Sequence, residues 1–175
     1  GQTESYDLVI LDLGLPRLGG MPDSARGLAK QTAEQRGEQG WMLTLDFPSY
    51  LSVMTYADDR PLRQEVYEAY STRASDQGPH AGRWDNTEIM EQILSLRHEL
   101  AQLLGYENYA TRSLVTKMAR ETDEVMTFLN DLAEHSVTRA RNELAELADF
   151  AREHYGVAEL ETWDLAFYSE KLREH

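Results

Sequence analysis

The chain has 175 residues, 41% of them apolar and 27% charged, the make-up of a globular protein with a core rather than of a disordered one. With 17 Lys and Arg against 31 Asp and Glu the formal net charge is −14, and the basic residues are scattered among acids, so neither a nucleic-acid nor a membrane partner is expected. There is no cysteine, which removes disulfides, thiolate metal sites and cysteine nucleophiles together.

No apolar run approaches the roughly 18 residues of a membrane helix, and no signal-peptide pattern opens the chain. The expected compartment is the cytoplasm. Residue 1 is Gly, not an initiator, which points to an N-terminus that is processed, trimmed or incomplete.

Residues 1–20 differ in character from the rest of the chain. Tyr6-Asp7-Leu8-Val9-Ile10-Leu11-Asp12 is a short apolar run ending in an acid, and Gly14, Pro16 and Gly19-Gly20 close it, as for a buried strand entering a loop. YDLVILDLGLPRLGG resembles the phosphoacceptor strand and loop of response-regulator receiver domains, which would make Asp12 the phosphorylated residue. The match is about 15 residues long and lacks that family's upstream acidic pair, its downstream Thr or Ser and its Lys. An ordinary strand or a foreign fused segment is the competing reading.

From Met21 the texture changes. Pro22-Asp23-Ser24 signals a helix start, and a weak apolar stripe through Ala25, Leu28, Ala29, Thr32 and Ala33 predicts a surface helix ended by Gly37 and Gly40. Residues 41–46 read as a strand. Pro48-Ser49 opens a short helix through Tyr56, and Asp58-Asp59 with Pro61 starts another along Leu62, Val66, Ala69 and Tyr70. Ser71 to Trp84 is interrupted by Gly78, Pro79 and Gly82 and reads as a long loop, either functional or a solvated connector.

The strongest local pattern spans Asn86 to Leu104. Asp85 and Glu88 have capping-box spacing, Ile89, Ile93, Leu96, Leu100 and Leu103 repeat at 4-3-4-3, and Gly105 sits where a left-handed residue ends a helix. That stripe is expected to be core or a helix-partner surface, with a short coiled-coil seam as the alternative. Tyr106 to Met118 predicts a short helix with a connector. Glu121 to Tyr155 predicts one long helix or a broken pair, thinning at Ser136-Val137-Thr138, and Leu165 to Arg173 a last helix opened by Trp163-Asp164.

His98-Glu99-Leu100-Ala101-Gln102 approaches a zinc-peptidase helix. That chemistry needs a second imidazole at i+4, beside the first on one helical face, and Gln102 offers a neutral amide instead. The remaining histidines, His80, His135, His154 and His175, are isolated in sequence. No nucleophile elbow, phosphate-binding loop or dinucleotide fingerprint is present, so the residues themselves carry no catalytic or metal-ligating set.

From about Gly20 onward, GMPDSA, GWMLTLDFPSYLSVMTYADDRPLRQEVYEAYSTRASDQGPHAGRWDN, ILSLRHELAQLLGYENYATRSLVTKMA and WDLAFYSEKLREH resemble an internal piece of the thimet-oligopeptidase family of zinc metallopeptidases. The resemblance implies a mostly helical, two-lobed enzyme that cleaves short peptides in a deep channel. Its zinc is held by a His-Glu-x-x-His helix and a more distant Glu, all downstream of the segment matched here, so no family site residue carries over.

The expected fold is mainly α, a helical scaffold part of a two-lobed oligopeptidase, with one or two short strands near 6–12 and 41–46. Two segments are expected, a receiver-like or foreign 1–20 and an incomplete helical oligopeptidase-like 21–175. The expected role is a scaffold or channel wall that lacks the zinc-binding half and is inactive alone. Zinc belongs to the full-length family, and none is expected on this chain. Expected partners are short peptides, through the complete enzyme, and further copies of the chain through exposed apolar faces. A non-enzymatic helical interaction domain and a signalling protein switched at Asp12 are the alternatives.

Overall fold

The computed structural model describes residues 8–9 and 15–175, which fall into two compact units. The first comprises residues up to Trp84 together with Glu146–His175, and the second comprises Asp85–Ala145. Mainly α is the right class. Seven α-helices and one two-stranded antiparallel ribbon are present among the described residues.

In the first unit, β1 (Leu8–Val9) pairs with β2 (Leu43–Thr44) in the register Leu8 opposite Thr44 and Val9 opposite Leu43. β2 is shorter than the run 41–46 that contains it, and its backbone groups go to several partners. The Met42 N–H is donated to the Ala29 carbonyl (3.0 Å), the Thr44 N–H to Ser49 Oγ (3.2 Å), and Asp46 is already the residue from which the next helix starts.

A 3-10 turn at Leu15–Leu18 follows β1, and then α1 (Asp23–Gln35), α2 (Phe47–Tyr56) and α3 (Arg60–Ser71). Proline stands in the first turn of α2 and of α3, where a missing N–H costs nothing. Asp59 caps α3, its Oδ1 accepting the Leu62 N–H at 2.7 Å. Leu18, Met21, Ala29, Leu43, Val53, Met54, Ala57, Leu62 and Val66 form the main core of this unit. Gly20 allows a close backbone approach beside it. Its φ is +77°, and a Cβ there would lie 2.2 Å from the Tyr56 carbonyl oxygen.

The second unit holds α4 (Thr87–Leu103), α5 (Tyr109–Leu114) and most of α6 (Thr122–Tyr155), whose residues from Glu146 on belong to the first unit. The capping box expected at α4 does not form. Asp85 Oδ1 accepts from the Thr87 N–H (2.9 Å) and hydroxyl (2.6 Å), and the helix begins after Asn86 without a side-chain cap. Gly105 has φ +81°, as its position after the helix requires. On α4, Ala101 alone is buried, under the turn that returns the Tyr106 N–H to its carbonyl.

The apolar stripe of α4 is not core. Ile89, Ile93, Leu96, Leu100 and Leu103 are all exposed, Leu103 at 84%. Helical spacing shows that a face is suited to burial, but not that the covering partner lies in these residues. On α6, Phe128, Leu129, Leu132 and Leu144 are exposed too, whereas Leu147 and Ala151 are buried against α7 (Leu165–Glu174) with Phe167 and Tyr168. The thin stretch at Ser136-Val137-Thr138 does not break α6. The Ser136 hydroxyl donates to the Leu132 carbonyl (2.6 Å) and the helix runs on.

Candidate functional site

The most heavily bonded polar group of the first unit is an ion cluster that ties α3 to the start of α7. Asp164 is fully buried and Arg63 is 1% exposed. Arg63 Nη2 donates to Asp164 Oδ1 at 2.8 Å, and Arg60 Nη2 donates to Asp164 Oδ2 at 2.6 Å. The Glu161 N–H adds a third donor to Oδ2 at 3.0 Å. Burial pushes the Asp164 carboxyl up, but the hydrogen bonds from Arg60, Arg63 and the Glu161 amide outweigh it and hold the group below the usual aspartate range. The rest of the Arg63 guanidinium is used on the Ala57 carbonyl (2.7 Å), the Trp163 carbonyl (3.2 Å) and the face of Phe167, 4.1 Å away.

Such a cluster has no unshared proton or lone pair to give to a reaction. Both carboxylate oxygens are partnered, and no buried side-chain polar atom among the described residues lacks a hydrogen bond. Its work is positional. Sequence reasoning missed it because Asp164 reads as an ordinary helix-start residue and its arginines stand more than 100 positions earlier.

A cavity of about 330 Å³ opens between α1, β2 and the start of α2, lined on one side by Leu28, Ala29 and Met42 and on another by Asp46 and Ser49. It holds no convergent acid–base pair. The loop expected at 71–84 is present, and it is folded on itself. The Gly82 N–H bonds to the Ser75 carbonyl (3.2 Å), the Ala81 N–H to the Gly78 carbonyl (3.2 Å) and the Ser75 hydroxyl to the Thr72 carbonyl (2.6 Å).

Of the residues singled out in the sequence, Asp12 lies outside the described residues. His98 is exposed on α4, and Gln102 spends its amide on the Glu107 carbonyl at 2.6 Å. His154 and His175 do come together, with ring centroids 4.7 Å apart, while His80 meets the Trp84 ring and His135 bonds to the Asp131 carbonyl within its own helix. Among the described residues no three of His, Cys, Asp and Glu are grouped so as to hold a metal ion, so these residues do not fit the zinc that the resemblance implies. Among the described residues no helix is long and apolar enough to cross a membrane.

What decides the relationship is a family model. That of peptidase family M3 matches residues 53–175, a stretch running from the middle of α2 through the ion cluster to the last helix. The chain belongs to peptidase family M3. It is 58% identical over 158 residues to oligopeptidase A of Escherichia coli K12 and, over the same length, 58% identical to oligopeptidase A of Salmonella typhimurium. Both comparisons take in 90% of this chain and 23% of the relative. A probable cytosolic oligopeptidase A of Arabidopsis thaliana is 42% identical over 184 residues, covering 98% of this chain and 25% of that relative. The chain thus spans about a quarter of the length of the curated relatives it matches. Both partners of the ion cluster, α3 and the start of α7, lie inside the stretch matched by the M3 family model.

Proposed function

We propose that this chain serves as a helical scaffold and channel wall of a zinc-dependent oligopeptidase that degrades short peptides, with the zinc ligands contributed by residues outside 1–175. The observation that carries the reading is membership of peptidase family M3 in a chain whose own helix has Gln102 where a second zinc-binding imidazole would have to stand. The identity to relatives named oligopeptidase A supports oligopeptide substrates, and the name of the cytosolic Arabidopsis relative supports a cytoplasmic setting. The part played by these residues is architectural. The Arg60–Arg63–Asp164 cluster holds α7 against α3, and the first unit's core keeps the walls built on them rigid. Residues 8–9 and 15–20 belong to that unit in this reading, supported by the pairing of Leu8–Val9 with Leu43–Thr44 and by the full burial of Leu18.

The test compares two proteins on one fluorogenic short peptide. The 175-residue chain alone is expected to give no chelator-sensitive cleavage, and a longer polypeptide that carries it together with a His-Glu-x-x-His helix is expected to give turnover abolished by chelator. Chelator-sensitive turnover by the 175-residue chain would overturn the proposal.

A second reading, a helical interaction domain without activity of its own, is favoured by one observation, the row of exposed apolar side chains on α4 and α6. A third, phosphorylation at Asp12, stands or falls on whether a small phosphodonor adds one phosphate to the chain by mass spectrometry.

A further inference from the structure

The loop between α3 and α4 presents an ordered cationic and aromatic cluster in a protein whose formal net charge is −14. Three features give the loop one shape. Its hydrogen bonds close it between Ser75 and Gly82. Its base is anchored by Arg73, which donates to the Leu45 carbonyl at 3.3 Å and stacks 4.7 Å over Tyr70. And Gly78, at φ +77°, packs where a Cβ would come within 2.0 Å of the Thr72 hydroxyl. Ala74 is in the left-handed region as well, with φ +55°, the one non-glycine residue so placed among the described ones. Backbone held in that region is strained and persists where surrounding bonds enforce it.

On this frame the Arg83 guanidinium lies 4.2 Å over the Trp84 ring, and the His80 ring meets the same indole edge-on at 5.6 Å. Arg83 is exposed, and no carboxylate among the described residues pairs with it, whereas Arg17, Arg26, Arg60, Arg63, Arg139, Arg152 and Arg173 all have acidic partners. The Arg83 guanidinium over the indole is exposed and so can offer N–H groups to an acceptor. A planar guanidinium suits a carboxylate, which it can bind through two parallel hydrogen bonds.

We propose that the 72–84 loop is a docking point for the C-terminal carboxylate of a short peptide. Arg83 is the charge partner, Trp84 the surface that orients it, and His80 a neighbouring ring donor. The proposal rests on the peptide-handling reading above and adds to it the chemical feature of the peptide that is held and the residue that holds it.

The test is a double-mutant cycle on the full 175-residue chain, using N-acetyl-tetra-alanine as the free acid and as its C-terminal amide. Binding is followed by nitrogen-15 NMR at the Trp84 indole, which Trp84→Phe assigns among the three tryptophans. The free acid is expected to bind about two- to fivefold more tightly than the amide, as for an exposed charge pair. Arg83→Ala is expected to remove that preference, and Arg83→Lys to keep part of it. Arg83 makes no side-chain hydrogen bond or ion pair among the described residues, and unchanged circular dichroism of the variants checks that they fold. Equal binding of acid and amide, or a preference that survives Arg83→Ala, would overturn the proposal. Absence of the preference in a chain whose longer form cleaves peptides would sink the loop assignment and leave the oligopeptidase reading intact. The preference without zinc-dependent cleavage by that longer form would do the reverse.

Discussion

Asp164 has no exposure, and its charge is matched by Arg63 and Arg60 at 2.8 and 2.6 Å, so removing it strands a guanidinium that is itself 1% exposed. Breaking a buried pair from one side costs about 3–5 kcal/mol, more than the pair contributes relative to an apolar substitute, because the remaining charge keeps its desolvation penalty. Asp164→Asn is therefore expected to lower stability by about that amount, measured as a shift in the urea midpoint at constant slope. The pH dependence comes from the same geometry. The folded carboxyl titrates below its unfolded value of about 3.9, so the cluster's contribution is fully present above that value and is lost as pH falls through the depressed folded one. Acid unfolding of the wild type should steepen below about pH 4, and Asp164→Asn should flatten that limb. Identical acid limbs would mean that the carboxylate is not what holds α7 in place. Little of this was legible in the sequence, where an aspartate opening a helix is bonded to its own backbone far more often than to arginines a hundred residues away.

Helix positions were legible because local chemistry sets them. Pro48 and Pro61 each stand in a first turn, Asp59 and Asn108 accept N–H groups at 2.7 and 2.9 Å from the third residue on, and glycine follows α4 and α6. Asp59→Ala is expected to cost about 1 kcal/mol for the cap. The bridge from Arg17 to the same carboxylate (3.3 Å) is partly exposed and adds little. Thermal unfolding by circular dichroism reads this, and a loss below a few tenths of a kcal/mol would mean that the cap does not stabilise α3. Strand lengths were less legible. Of the run 41–46 only Leu43–Thr44 is paired strand, with the Met42 N–H on the Ala29 carbonyl and Asp46 already at the start of α2, arrangements that only the folded packing supplies.

For the molecule as a whole, the contrast is between a first unit with a closed core and a second whose helices leave their apolar sides in solvent. Leu96 at 63%, Leu103 at 84% and Phe128 at 63% are exposed although Leu and Phe are among the residue types most often buried. Contiguous faces of that kind bind other protein or aggregate. The isolated chain is expected to bind an exposed-hydrophobe dye and to gain mass with concentration in light scattering, and Leu96→Glu with Leu103→Glu to reduce both. A dye-silent monomer would mean that these faces need no partner. The high negative charge acts against association, so the effect should grow as salt screens it.

The residues by themselves determined the class, the helix starts and stops and the family likeness, since each rests on short-range signals: capping side chains, first-turn prolines, apolar spacing at helical period and long shared strings. The tertiary structure decided which apolar faces are core, that Asp164 closes a buried pair with Arg60 and Arg63, and that the 72–84 loop is folded around Gly78 with Arg83 on Trp84. Those depend on groups distant in sequence meeting in space, and periodicity specifies that a face should be covered without specifying what covers it.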